Sequence, residues 1–163
     1  MTRSASQGRP GAEPALLTVQ PAITATIRRV VSTIDLAQFF DVSFRTLPAT
    51  ISAQGVDIVG PAFCLHHGAA ADTVDVEVGF AAGRAIRRVG DATAGSLPGG
   101  HVARLIHRGG FDGLAASWAR LRSWVQEQGL VAGTTRWEVY LTQPAPDMDP
   151  RDLRTELTLP LAG

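Results

Sequence analysis

Apolar and polar residues alternate along several short stretches of the chain. Between Val74 and Phe80 every second residue is apolar, and Asp75, Glu77 and Gly79 lie between them. A period of two is typical of a strand with one face in the core and the other toward solvent. The pattern from residue 153 to residue 159 is similar and also predicts a strand.

Two longer segments carry apolar residues at helical spacing, which predicts one helix in each. These residues are Leu36, Phe40, Phe44, Leu47 and Ile51 in the first segment and Leu114, Trp118, Leu121 and Val125 in the second. Pro48 lies inside the first pattern, so we expect a kink or two short helices there, because proline cannot donate a backbone hydrogen bond. Asp112 can cap the second helix, and Gly129 can end it.

The predicted elements occur twice in the same order, with an offset of roughly 78 residues. The first series is Ala22–Val30 (strand), Ile34 to about Gln54 (helix), Pro61–His67 and Val74–Ala81 (strands). The second is Gly100–His107, Asp112–Gln128, Arg136–Thr142 and Leu153–Leu159. This repetition predicts an α+β fold of two pseudo-symmetric strand-helix-strand-strand modules, at about residues 22–83 and 99–161, with an antiparallel sheet and two long helices.

Composition narrows the class of protein. The chain has 163 residues, of which 45% are hydrophobic, and 15 basic side chains balance 15 acidic ones, so direct binding of nucleic acid is not expected. Residues 1–20 are rich in Gly, Pro, Ala and Ser, which predicts a flexible tail before a folded domain at residues 21–163. The sequence shows neither a membrane-spanning run nor a secretory signal, and its single cysteine excludes an internal disulfide, so we expect a cytoplasmic protein.

The sequence offers no pattern for a metal or a cofactor, and we expect neither. His66 and His67 are neighbours on a strand and should point to opposite faces, while His101 and His107 should be about 20 Å apart. Cys64 has no histidine at a spacing that suggests activation of the thiol.

The most informative chemistry lies in the run R-W-E-V-Y-L-T-Q, where Trp137 and Tyr140 frame the carboxylate of Glu138. Alternation alone predicts that Glu138 and Tyr140 lie on the solvent-exposed side of a strand and Trp137 on the buried side. A sheltered carboxylate would instead need a hydrogen-bond network, a cation or a bound proton.

Five stretches carry a resemblance to a known family: Gly60–Gly68, Val74–Phe80, Leu97–Leu114, Trp137–Thr142 and Asp152–Leu161. In this order they resemble the GyrI-like small-molecule-binding domain. That domain also serves as the effector-binding half of some AraC-type and multidrug-responsive transcription regulators. The resemblance covers about residues 20 to 161.

The resemblance implies a ligand cleft between the two modules. Family members that bind cationic drugs have a glutamate at the base of that cleft, on the third strand of the second module, and Glu138 occupies the matching position. The resemblance implies further residues that line the cleft beside Glu138. The candidate ligand-binding residues are Glu138, Tyr140, Trp118, Trp137, Phe63 and Leu65.

Three functions are compatible with this resemblance. We favour a stand-alone, non-enzymatic module that captures hydrophobic, cationic or polar aromatic compounds, in drug or toxin sensing or sequestration. The alternative is a hydrolase of cyclopropane-bearing genotoxins, in which Glu138 acts on water and Tyr140 donates a proton. The third is a protein-interaction or inhibitor role, for which an exposed edge strand at Ala22–Val30 would be available; the sequence identifies no protein partner and no oligomeric state.

Overall fold

The computed structural model describes residues 13–68, 71–142 and 146–162. Strands and two long helices give an α+β fold, which confirms the predicted class. In chain order the elements are β1 (Ala15–Val19), β2 (Ala22–Ser32), α1 (Leu36–Ala53), β3 (Ile58–His67), β4 (Thr73–Ala82), β5 (Ala92–Leu97), β6 (Gly100–Arg108), α2 (Leu114–Glu127), β7 (Thr135–Tyr140) and β8 (Arg154–Pro160). Within the described residues, no helix is both long enough and apolar enough to cross a membrane.

The chain divides into two compact units. The central unit is Gln20–Gly100, and the composite unit combines Met1–Val19 with His101–Gly163. Strand order is β5-β2-β4-β3 in the central unit and β1-β6-β8-β7 in the composite unit. Each unit therefore repeats the same arrangement, in which the first and last strands of a module are neighbours and an additional strand lies beside the first.

In the central unit, β2 pairs antiparallel with β4 along one edge and with β5 along the other. The prediction that Ala22–Val30 is an exposed edge strand is therefore wrong, and the protein-interaction hypothesis loses that support. Sequence analysis did not predict β5, because A-T-A-G-S-L has small residues and little alternation. Leu47 and Ile51 of α1 pack on this sheet with Ala25 and Ala82.

Helix α1 is continuous through Pro48, so the predicted possibility of two short helices is wrong. Proline removes only one hydrogen bond of the helix, and the buried side chains of Leu47 and Ile51 hold both sides of that position against the sheet. The start of the helix is defined by a 3-10 turn, in which the side chain of Ser32 accepts a hydrogen bond from the backbone N–H of Ile34.

In the composite unit, α2 covers a core that includes Leu105, Leu121 and Leu157. The helix begins after Gly113 with no side-chain cap, so the predicted capping role of Asp112 is wrong; Asp112 lies within a 3-10 turn.

Strand β1 occupies part of the segment that sequence analysis assigns to a flexible tail, whereas residues 1–12 lie outside the described residues. Beside β6, its Thr18 hydroxyl oxygen is 3.1 Å from Nδ1 of His101. The short, mostly exposed run A-L-L-T-V gave no clear alternation by which to predict a strand.

The ion pair between Arg28 and Asp75 should control part of the response to acid. Arg28 donates from Nε and Nη2 to the two carboxylate oxygens over 3.0 and 2.8 Å. This hydrogen bonding is the main reason that the pKa of Asp75 is lowered; partial burial opposes it, and the charges of Arg28 and His67 add to it. A lowered pKa stabilises the fold at pH values above the unfolded-state pKa, and the contribution is lost as the pH falls through the native pKa.

We therefore expect Asp75→Asn to lower the free energy of unfolding at pH 7 by less than about 1 kcal/mol, because the pair is partly exposed. The difference from the wild type should shrink as the pH falls below the unfolded-state pKa, and it should vanish once the pH is below the lowered native pKa of Asp75. Urea unfolding at a series of pH values measures both effects, and Arg28→Gln should show the same convergence. A difference that persists undiminished in acid would contradict this role for the carboxylate.

Candidate ligand-binding site at Glu138

Glu138 faces the helix of its own unit. It pairs with Leu157 across β7 and β8, and Leu157 pairs with Leu105 on β6. Cross-strand partners share a face of a sheet, and both leucines belong to the core beneath α2. The side chain is accordingly buried, with 8% of the residue exposed, and the exposed position that alternation predicts is not the one it occupies.

Two neutral donors hold the carboxylate. The indole Nε1 of Trp118, on α2, donates to Oε2 over 2.8 Å, and the hydroxyl of Tyr140 donates to Oε1 over 2.9 Å. Hydrogen bonds to an ionised acceptor are stronger than those between neutral groups. Both oxygens therefore have a partner, and no ion pair joins Glu138 to a basic side chain in the described part of the chain.

Aromatic rings surround this carboxylate. Phe111 packs edge-on against Tyr140 with the ring centroids 5.9 Å apart, and Phe111 is substantially exposed. The guanidinium carbons of Arg122 and Arg136 lie 5.7 and 5.4 Å from the ring centroid of Trp118. Trp118 thus binds the carboxylate through its N–H and cations through its π system.

Two further polar residues lie on the same face and were not predicted. His107 on β6 is buried, and its Nε2 donates to the carbonyl of Gly110 over 2.8 Å, which requires a proton on Nε2 because a carbonyl only accepts. Its Nδ1 is 2.7 Å from the hydroxyl oxygen of Ser117 on α2. Thr155 pairs with both His107 and Tyr140, and its buried hydroxyl has no hydrogen-bond partner among the described residues.

The predicted ligand-binding residues are distributed over both units. Glu138, Tyr140 and Trp118 are in direct contact. Trp137 is buried opposite Thr158, on the other face of β7. Phe63 and Leu65 are buried on β3 of the central unit. Ligand-binding roles for these three residues stay predictions.

Cys64 is a buried thiol, and His66 lies beside it, which its sequence spacing did not indicate. Its Sγ is 3.6 Å from Nε2 of His66, because residues two apart on a strand share a face. The pairing register places Cys64 at the position in the central unit that Glu138 occupies in the composite unit. The buried carboxylate is therefore a feature of one module and not of both.

Comparison with known proteins identifies the family. Residues 12–162 match the family model described as the GyrI-like small molecule binding domain. The chain belongs to this family. As a GyrI-like domain it is a small-molecule-binding domain, and the resemblance predicted from its motifs is confirmed. No curated protein sequence gives a significant match.

Solved structures share the GyrI-like fold at low sequence identity. The EcmrR C-terminal domain is 20% identical, with a TM-score of 0.82 over 92% of this chain and 97% of that one. A hydrolase from Listeria innocua is 12% identical, with a TM-score of 0.71 over 98% of each chain. SAV2435 bound to tetraphenylphosphonium is 10% identical, with a TM-score of 0.67 over 93% and 94% of the two chains. These similarities extend along almost the whole chain.

Proposed function

We propose that this GyrI-like domain captures hydrophobic small molecules that carry a positive charge or a polar aromatic group, and that Glu138 is their anchor. The observation that carries the proposal is the buried carboxylate held by two neutral donors, with no ion pair to a basic side chain among the described residues. A ligand cation would supply that balance.

The energetics favour a cationic ligand. Burial of an ionised carboxylate costs several kcal/mol, which hydrogen bonds offset only in part. A cation at Glu138 would gain direct attraction in a medium less polarisable than water. Contact with the ring of Tyr140 would add about 0.5 to 2 kcal/mol, and the free hydroxyl of Thr155 offers a hydrogen bond to a polar group.

Tyr140 is the residue that a ligand would displace. Tyr140 is half-buried, whereas Trp118 is on the buried face of α2 and donates to the other carboxylate oxygen. A ligand that approaches beside Phe111 would take over Oε1 from the tyrosine hydroxyl, while Trp118 keeps Oε2 in place. The lipophilic cation bound by SAV2435, tetraphenylphosphonium, is a suitable probe of this chemistry.

Glu138→Gln should weaken binding of tetraphenylphosphonium at least tenfold, about 1.4 kcal/mol, because it removes the charge and keeps the shape. Isothermal titration calorimetry measures the affinity, and thermal unfolding should show that a ligand at 100 times its Kd stabilises the wild type by about 2.7 kcal/mol. Tetraphenylborate, the anion of the same shape, should bind far more weakly.

Glu156→Gln is the matched control for this experiment. Glu156 lies on the adjacent strand β8, opposite Val139 and next to Arg104, where its Oε2 is 3.6 Å from the arginine Nε. Glu156→Gln removes the same charge from the opposite face of the sheet. The affinity of this variant for tetraphenylphosphonium should stay within about twofold of that of the wild type. Equal affinities of the wild type and Glu138→Gln for the phosphonium ion would refute the anchor.

The hydrolase alternative has one favourable observation, which is the 2.9 Å hydrogen bond between Tyr140 and Glu138. Glu138 would take a proton from a water molecule while the oxygen of that water bonds to one cyclopropane carbon of the toxin. The bond between this carbon and a neighbouring ring carbon would break, and Tyr140 would donate a proton to the side of the molecule that takes the electron pair. Product in molar excess over the protein, lost in Glu138→Gln, would favour this reaction over capture.

A further inference from the structure

A groove with a volume of about 630 Å³ lies within the central unit, between α1 and the side of the sheet formed by β2 and β5. This volume is within the usual range for small-molecule sites. All of its lining residues fall in residues 27–50 and 89–92, so it is separate from the Glu138 site, which is built entirely from the composite unit.

Part of the groove's lining and rim is apolar. Phe39, Val31 and Leu47 are buried in its wall, whereas Val42 and Val89 at its rim are 42% and 53% exposed. Exposed valines around a concave surface leave apolar area in water that a ligand would cover. The walls are preformed by regular elements, a helix on one side and paired strands on the other.

The basic side chain in this groove is already paired with a carboxylate. Arg29 donates from Nη2 to Asp91 and lies over the ring of Phe39, with its guanidinium carbon 5.5 Å from the centroid. Asp91 is fixed in a tight turn, in which Val89 and Ala92 exchange two backbone hydrogen bonds. Asp35 stands at the start of α1, where a carboxylate offsets the partial positive charge of the helix end.

Polar groups that carry no charge line the α1 side. Gln38, Ser43 and Thr46 lie on the stripe of α1 that also carries Phe39 and Val42, at spacings of three and four residues. Ser43 is buried in the wall, and the Thr46 hydroxyl donates to the carbonyl of Val42, which leaves its oxygen able to accept. These groups can exchange hydrogen bonds with a neutral ligand.

We propose that the groove is a second binding site, for an uncharged amphipathic molecule such as an aromatic alcohol. The apolar body of the ligand packs against Phe39, Val42 and Val89, and its polar group bonds to the polar residues of α1 in the groove. A ligand cation would have to compete with Arg29 for Asp91, and a ligand anion would have to compete with Asp91 for Arg29. Asp35 has no ion pair among the described residues, but it stands at the N-terminal end of α1, whose partial positive charge offsets its own. The preference therefore differs from the one proposed for Glu138.

Three probes of nearly equal shape test this preference: 3-phenylpropan-1-ol, 3-phenylpropylammonium and 3-phenylpropanoate. Titration of each into the nitrogen-15-labelled full chain separates the two sites, because backbone amides of residues 38–46 and 89–92 report on the groove and the indole N–H of Trp118 reports on Glu138. In the groove, the alcohol should bind at least about threefold more tightly than either ion. The ammonium ion alone should shift the Trp118 signal strongly.

Val42→Lys should abolish the alcohol-induced shifts in the groove, because it places a long charged chain across the rim. Val131→Lys is the control, since Val131 is a similarly exposed valine in the composite unit. Thermal unfolding of both variants should match the wild type, since both positions are on the surface.

Absence of groove shifts with the alcohol up to about 10 mM, tighter binding of either ion there, or undiminished binding in Val42→Lys would each overturn the proposal. These results leave the Glu138 anchor untouched, because its reporter and its variant are different.

Discussion

Gly79→Ala should lower the free energy of unfolding by at least about 3 kcal/mol. A Cβ atom at this position of β4 would lie 2.0 Å from the carbonyl oxygen of Ala25 and 2.8 Å from Cγ2 of Thr26. The backbone of β2 cannot move aside, because β4 and β5 hold it from both edges. Urea unfolding followed by tryptophan fluorescence and circular dichroism measures the loss.

Gly83→Ala is the control for this substitution, because the nearest atoms to its added Cβ would be 3.8 Å away, an ordinary contact distance. Its stability should remain within about 0.5 kcal/mol of the wild type. If Gly79→Ala is insoluble while Gly83→Ala is soluble, this result would also indicate a large loss in the free energy of unfolding of Gly79→Ala. A stable Gly79→Ala protein would show that the two strands are not as close as described.

Trp118→Phe should cost about 2 to 3 kcal/mol, because it leaves Oε2 of Glu138 buried without its donor. Chemical unfolding of Trp118→Phe, Glu138→Gln and the double variant measures the coupling between the two residues. A neutral glutamine suffers less from the missing indole N–H, so the double variant should be more stable than the sum of the single effects predicts, by about 1 to 2 kcal/mol.

Tyr140→Phe is the comparison within the same site. Tyr140 is half-buried, so water can replace its hydroxyl at Oε1, and the loss should be smaller than that of Trp118→Phe. Single effects of Trp118→Phe and Glu138→Gln that add within about 0.5 kcal/mol would contradict the coupling.

Sequence periodicity was sufficient to predict the two modules because their strands and helices bury one face each. It predicted the alternation of Val74–Phe80 and the apolar stripe of α2, both of which the structure contains. It could not predict β1 and β5, which lie at the outer edges of their sheets and consist mainly of small or exposed residues. Their position depends on neighbouring strands rather than on their own pattern.

Periodicity alone misassigned Glu138 because β7 is buried on both faces. Trp137 and Glu138 are adjacent in sequence, and both are buried, so a polar residue did not mark the solvent side. The donor to Oε2, Trp118, is 20 positions away on another element, and no local pattern relates the two. The family resemblance directed attention to the carboxylate, whereas its hydrogen-bond partners required the fold.

The ion pair in the groove beside α1 could not be predicted from the sequence either. Arg29 and Asp91 are 62 residues apart and meet only because β5 pairs with β2. The strand that periodicity missed is therefore the one that brings the groove's ion pair together.

The discontinuous make-up of the composite unit has a consequence for biosynthesis. Chains emerge from the ribosome from the N-terminus, so Ala15–Val19 is made before the central unit, whereas its neighbour β6 is made after it. All strands of the central unit are made before β6. Until β6 is made, Leu16 and Leu17 of β1 stay exposed in the nascent chain, because β1 has no strand to pair with. Slow translation should lengthen the time between the synthesis of β1 and of β6, and it should increase the binding of ribosome-associated chaperones to β1.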